Sequence, residues 1–154
     1  MIAIAPRPAS GRKWGTLSFA STLHLCPILD LLLADVPRHC EGDLRLGLQE
    51  ALVNASIHGN QLDPTKTVLV QFCFLHNQYW WIISDQGGGF SPQFVEVLKQ
   101  KSTCAPSEFQ ECGRGLFIMN QVFDLVQWEE DGSELRLCKR VKPLSRLPIG
   151  WKAS

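Results

Sequence analysis

The sequence predicts an α/β fold, and three observations carry that reading. Residues 44–60, LRLGLQEALVNASIHGN, have the period of one long amphipathic helix. Residues 66–75 and 79–84 are β-branched and aromatic runs joined by a hairpin-length loop, His76-Asn77-Gln78. Asp131-Gly132 sits between two further strand-like runs, 125–129 and 133–140, as a hairpin turn signal.

The 154 residues fit one domain, and 45% hydrophobic with 19% charged residues is an ordinary globular composition. Fifteen basic and fifteen acidic residues cancel. No global charge therefore points to nucleic acid or to an anionic membrane surface. The six cysteines form no C-x-x-C pair, which argues against zinc and disulfides and for a reducing, cytoplasmic setting. No run approaches the about 18 apolar residues of a membrane span, and the opening ten residues lack the apolar core of a signal peptide.

In chain order, residues 1–13 hold two prolines, a glycine and three basic residues, and read as a flexible leader. The domain runs over 14–142, beginning with a strand at 14–21. A leucine-rich helix follows at 23–36, with Pro27 in its first turn and Pro37 as its stop. Asp43 is the expected N-cap of the long helix, with Leu46, Val53 and Ile57 facing the core; Gly59 and Asn60 end it. The strand at 79–84, YWWIIS, is too apolar to have a wet face and is expected centrally, under helices. It runs into Asp85-Gln86-Gly87-Gly88-Gly89. Ser91 and Pro92 then start a helix, 102–112 reads as a mobile loop, and Gly113-Arg114-Gly115 opens a helix at 116–123. Residues 143–154 read as a tail.

Chemistry concentrates in three segments. Glu50, Asn54 and His58 are spaced i, i+4, i+8. Each step of four nearly preserves a helix face and climbs about 6 Å. A carboxylate and a carboxamide on an apolar helix need partners if buried, which a hydrated divalent cation and a phosphate chain would supply. On this helix alone a solvated edge is the better reading; the glycine clusters reverse it. In DQGGGF, Asp85 can accept a hydrogen bond from an exocyclic amine, while Gly87 and Gly89 let backbone approach a flat ring or phosphate. In GRGLFIMN, glycines at a helix start offer N–H groups to phosphate oxygens. Neither the P-loop spacing nor the six-residue Rossmann fingerprint is present.

E-x-x-x-N on a helix, then D-x-G-x-G-F after a strand, then G-x-G-L before a helix, resembles the Bergerat-fold (GHKL) ATP-binding superfamily, which includes sensor histidine kinases and gyrase B. Within it, EALVNASIHGN and GRGLFIMNQVFDLV look most like the anti-sigma-factor serine kinases, over roughly residues 17–141. The resemblance implies a two-layer sandwich in which helices 23–36, 44–58 and 116–123 cover one face of a mixed, mostly antiparallel sheet. A lid is then expected at about 91–112. It implies ATP and Mg²⁺ as ligands. Asn54 would hold the metal and Glu50 would orient or deprotonate the attacking hydroxyl. Asp85 would read adenine, with Gly87 and Gly89 shaping that wall and Ser133 near the ring. Gly113, Arg114, Gly115 and Leu116 would close on the phosphates. His58 matches a family histidine but reads as a helix-end structural residue. The implied partners are a sigma factor and a STAS-type anti-anti-sigma protein, and the implied state is a homodimer.

Relatives often carry a basic residue two or three positions before the first glycine of the last box, where this chain has Gln110 and Glu111. That departure bears on phosphate transfer more than on ATP binding. An ATP-binding partner-switching module without kinase activity therefore stands beside the kinase. A histidine-kinase-like ATPase piece stands behind both, because the 43 residues before the long helix are used by a leader, a strand and a helix.

Overall fold

The computed structural model describes residues 3–4, 7–9, 12–88, 111–129 and 132–142. Seven strands are described: β1 (Ala3–Ile4), β2 (Arg7–Ala9), β3 (Arg12–Ala20), β4 (Thr67–Leu75), β5 (Gln78–Ser84), β6 (Leu125–Trp128) and β7 (Glu134–Arg140). They form a sheet in the order β1-β3-β4-β5-β7-β6, with β2 also on β3. Every pairing described is antiparallel. β5 is central, as its apolar sequence requires. The period-two alternation of each strand sends one set of side chains to a shared face. Leu17, Val70, Ile83 and Leu135 thus lie side by side across four strands, all buried.

The helices α1 (Cys26–Leu32), α2 (Arg38–Asn54) and α3 (Glu111–Val122) contribute to the same hydrophobic core. Ile28 and Leu29 of α1, Leu44, Leu48 and Leu52 of α2, and Leu116 and Met119 of α3 meet the strand ladder there. This is the expected two-layer α/β sandwich. Residues on α2 at i, i+4 and i+8 make one continuous stripe, and burying each such leucine contributes about 1.5–3 kcal/mol.

Several boundaries differ from expectation. The stretch read as a loose leader carries two short strands paired with β3. α1 ends at Leu32 rather than running to Pro37. α2 starts at Arg38 after Pro37, so Asp43 lies inside the helix and is not its N-cap. Its core stripe is Leu44, Leu48, Ala51 and Leu52, while Leu46, expected inward, is 47% exposed. The run L-x-L-x-L fits two helical faces, and only the position of the sheet chooses between them. The His76-Asn77-Gln78 loop is a two-residue hairpin: Gln78 pairs with Leu75, and His76 and Asn77 have φ of 50° and 61°. Positive φ at both central residues is the turn whose twist suits a hairpin. α3 begins at Glu111, five residues before the expected start. Gly89, the helix expected after Ser91, most of the 91–112 lid and the 143–154 tail lie outside the described residues.

Two glycines of α2 test the packing against intrinsic helix propensity. Gly42 has no atom within 4 Å of where a Cβ would stand, so Gly42→Ala gains helix propensity and should stabilise by about 0.5–1 kcal/mol. A Cβ on Gly47 would lie 2.7 Å from the Phe123 ring and 2.9 Å from Val122. That ring is buried and set edge-on against Trp81. Gly47→Ala should therefore lose about 1–3 kcal/mol to overpacking against the smaller propensity gain. Urea unfolding of the two variants checks both signs; equal shifts would contradict the packing described.

Candidate functional site

The polar residues gather along the C-terminal half of α2 and just beyond it. Glu50 and Asn54 lie one turn apart, both half-buried. α3 reaches them through Gly115. A Cβ on Gly115 would stand 2.8 Å from Glu50 Oε2 and 3.6 Å from Asn54 Nδ2. Two of the three expected segments are therefore in contact, and a side chain at 115 would displace the Glu50 carboxylate.

After Asn54 the helix widens into a π-helical turn, Ala55–Gly59, closed by a hydrogen bond from Asn60 N to the Ala55 carbonyl at 2.9 Å. π-turns of this kind recur at functional sites. The chain then reverses through Gln61 and Leu62, both at φ 54°. Left-handed backbone is uncommon for a leucine and marks a constrained exit from the helix.

The loop after β5 meets this helix end. The space a Gly59 side chain would need is filled by the Asp85 carboxylate, and the space a Gly87 side chain would need is filled by the Gly59 carbonyl. Gly87 N donates to Asp85 Oδ1 at 2.9 Å, and Asp85 N donates to the Ser133 carbonyl at 3.0 Å. Ser133 thus stands beside Asp85 at the start of β7. Nine residues of helix separate Glu50 from Gly59, a span of about 13 Å. Glu50, Asn54 and Gly115 form one end of the site; Asp85, Gly87 and Ser133 form the other.

The remaining expected residues are placed differently. Arg114 is exposed on α3. Gly113 lies within the first turn of α3, where backbone N–H groups lack helical partners, whereas Gly115 is already in the second turn. Leu116 is 8% exposed and packs in the core. His58 is exposed on the π-turn. Sequence reasoning missed Asn60 and Gln86. Asn60 reads as a helix terminator, yet its side chain is fully buried and bonded to three segments. A carboxamide at a helix end is ordinarily a solvated cap; only burial separates the two, and burial depends on where the next loops pack.

The displaced proton affinities lie elsewhere. Burial, then the charge of Asp35, raises the Tyr79 phenol at the far end of β5, where its hydroxyl donates to the Asp35 carbonyl at 2.9 Å. Burial, then Asp124, raises the Cys138 thiol on β7.

Comparison with known proteins gives three findings. Residues 29–139 match the family described as the histidine kinase-like ATPase domain. The anti-sigma F factors of three Clostridium perfringens strains (SM101, ATCC 13124 and 13) are each 24% identical over 85 residues, which is 55% of this chain and 59% of the relative. The match thus spans less than two thirds of those relatives. Among solved structures, the mycobacterial sensor histidine kinase MprB aligns at 18% identity and a TM-score of 0.49, over 75% of this chain and 93% of that one.

The glycine contacts at Asp85 make a prediction with an internal control. Gly87→Ala would drive a Cβ into the backbone carbonyl of Gly59, which cannot rotate aside, and should cost about 1–3 kcal/mol. Gly88→Ala meets nothing within 4 Å and should stay within about 0.5 kcal/mol of the parent. Thermal melts of the pair decide it; a tolerated Gly87→Ala would mean that the loop does not seat on the helix end.

Proposed function

The chain belongs to the histidine kinase-like ATPase domain family, and from that premise we propose that it binds ATP between α2, α3 and the Asp85 loop as an anti-sigma regulator. The observation that carries the reading is the meeting of Gly115 with Glu50 and Asn54 at one end of a site whose other end is Asp85 and Gly87. A nucleoside triphosphate has the same polarity, a flat base with an exocyclic amine at one end and a phosphate chain at the other. Asp85 accepts the amine of adenine, and Gly87 and Ser133 line that end. In this reading the Gly113 backbone and the Arg114 charge face the phosphates, Gly115 lets α3 approach Glu50 and Asn54, and Leu116 anchors the turn in the core.

The donor set fits a hard cation. Asn54 and Glu50 offer oxygen, the ligand type of Mg²⁺. Asn54 would hold the ion through its side-chain oxygen, with phosphates and water completing the shell. When bound, Mg²⁺ neutralises the phosphate charge.

We further infer that the activity is transfer of the γ-phosphate to a serine or threonine of a STAS-type anti-anti-sigma protein, the chain otherwise sequestering a sigma factor as a homodimer. Glu50 orients the accepting hydroxyl and takes its proton. The anti-sigma F likeness supports this choice among family functions. One observation favours a binding module without transfer: Glu111 is the first residue of α3, where relatives carry a basic residue nearby, and an acid at a helix N-terminus opposes a phosphate there. No described helix is long and apolar enough to cross a membrane.

Three variants separate binding from transfer. Glu50→Gln keeps shape but not charge. It should leave ATP affinity within a few-fold and lower phosphate incorporation by about 10²-fold or more. Asn54→Ala should lose both. Asp85→Asn should weaken ATP binding by about tenfold, since one acceptor oxygen becomes a donor facing an amine. Calorimetry with ATP-Mg²⁺ and labelling of STAS-domain proteins read these out. No heat for the parent protein would sink the ATP assignment; ATP and sigma-factor binding without labelling would leave the sequestering module.

A further inference from the structure

Asp85 is fixed from both sides of its own backbone. On one side its N–H is held by the Ser133 carbonyl. On the other, the next peptide N–H, that of Gln86, donates to Asn60 Oδ1 at 2.7 Å. Asn60 is fully buried, and its Nδ2 donates to Ser21 Oγ at 2.8 Å and to the Thr67 carbonyl at 2.9 Å. Ser21 Oγ donates onward to the Lys66 carbonyl at 3.1 Å, and Gln86 Oε1 accepts from Thr67 N at 2.8 Å. One carboxamide therefore joins the end of α2, the end of β3, the start of β4 and the loop that carries Asp85.

The chemistry of the junction calls for asparagine. It needs two donors directed at an oxygen pair and one acceptor directed at a peptide N–H, the pattern of a primary amide. Aspartate lacks the donors and alanine lacks everything. Only the acceptor bears on Asp85, through the Asp85–Gln86 peptide plane. The Asp85 carboxylate is then aimed by that plane, by the Gly87 N–H on Oδ1 and by the Gly59 surface beneath it.

We propose that Asn60 is a positioning residue for base recognition: it aims the Asp85 carboxylate at the exocyclic amine of the nucleotide and so sets the preference for adenine. This rests on the ATP reading above and deepens it. Asn60 touches no nucleotide; it acts through Gln86 and Asp85. It follows that its loss lowers selectivity between bases while leaving the phosphate end, around Glu50, Asn54 and Gly115, as it was.

The test compares ATP with inosine triphosphate, which carries an oxygen where adenine has its amine, on the full chain by calorimetry. The parent should prefer ATP by about tenfold, the scale of one charge-assisted hydrogen bond. Asn60→Ala should bring that preference to within about threefold, with inosine triphosphate affinity changed less than twofold. In an Asp85→Asn background the Asn60→Ala change should have no further effect on the preference, because a residue that acts through another is silent once the other is gone. Ser21→Ala is measured in parallel as the variant that keeps Asn60 itself; with one of its two anchors gone, selectivity should fall by about twofold. A folded Asn60→Ala with the parent's preference, or one that weakens both nucleotides equally and additively with Asp85→Asn, overturns the proposal. Should Asn60→Ala not fold, unchanged selectivity in Ser21→Ala overturns it instead. A parent that binds neither nucleotide fails the ATP reading, and a parent that binds both equally fails the role of Asp85, so each failure is distinct from that of Asn60 alone.

Discussion

Close approach of the C-terminal half of α2 to its neighbours is the constraint on which the site depends, and glycine permits it. Four contacts along this helix are closer than a Cβ allows without a shift: Gly47 against Phe123, Gly115 against the movable Glu50 carboxylate, Gly59 against the Asp85 carboxylate and Gly87 against the Gly59 carbonyl. Helical glycine costs about 0.8–1.0 kcal/mol relative to alanine in each of the first two cases. Packing offsets that cost by letting α3 lie on α2 while the Met119 and Leu48 side chains stay fully buried. The contacts also order the chemistry. Gly115 puts α3 at Glu50 and Asn54, and the Gly59–Gly87 pair puts the β5 loop about 13 Å further along.

The sequence made the sheet and the polar triad of segments legible because both are local patterns. β-branched and aromatic runs with turn signals placed β4, β5, β6 and β7 within a residue or two of their bounds. The i, i+4 spacing placed Glu50 and Asn54 together on any helix that includes them. What stayed hidden is what depends on the partner surface. Leu46 and Leu48 are chemically alike, and only the sheet decides which is inside. Gly113-Arg114-Gly115 reads as the opening of a helix at 116, whereas α3 already runs through both glycines, where tertiary contact with Glu50 outweighs propensity. Asn60 is the same lesson in polar form. Its hydrogen-bond partners come from residues 21, 67 and 86, too far away in sequence for any window to connect.

The junction at Asn60 also explains the irregular backbone that precedes it. A regular α-helix would carry Asn60 about 100° away per residue of register, and the π-turn at Ala55–Gly59 shifts that register by one position. The left-handed Gln61 and Leu62 then return the chain to β4. Left-handed non-glycine residues cost on the order of 1 kcal/mol each and persist only where surrounding contacts over-determine them. Here the contacts are the buried carboxamide and the Ser56 carbonyl, which accepts from Leu62 N at 2.8 Å. The strain and the polar network are two sides of one arrangement: the backbone departs from helix geometry where the side chain must reach inward.

Electrostatics then separates the two ends of the site. At the Asp85 end, the proposed recognition would rest on directed hydrogen bonds among half-buried groups, which salt screens weakly. At the phosphate end, an acidic first residue and an exposed arginine three positions later, Glu111 and Arg114, occupy one turn of α3. An acid in the first turn stabilises a helix by about 0.3–1 kcal/mol because it opposes the positive pole of the dipole. The Arg114 charge restores a positive potential there, but from solvent and on a flexible side chain, so its pull is screened within about 8–10 Å at ordinary salt. In the proposed reading, base selectivity is built into the fold through Asn60 and Asp85, whereas the hold on the terminal phosphate depends on a mobile surface charge. On that proposal, adenine recognition and phosphate handling rest on different parts of the fold, and transfer would turn on the carboxylate of Glu50 rather than on the glycine box.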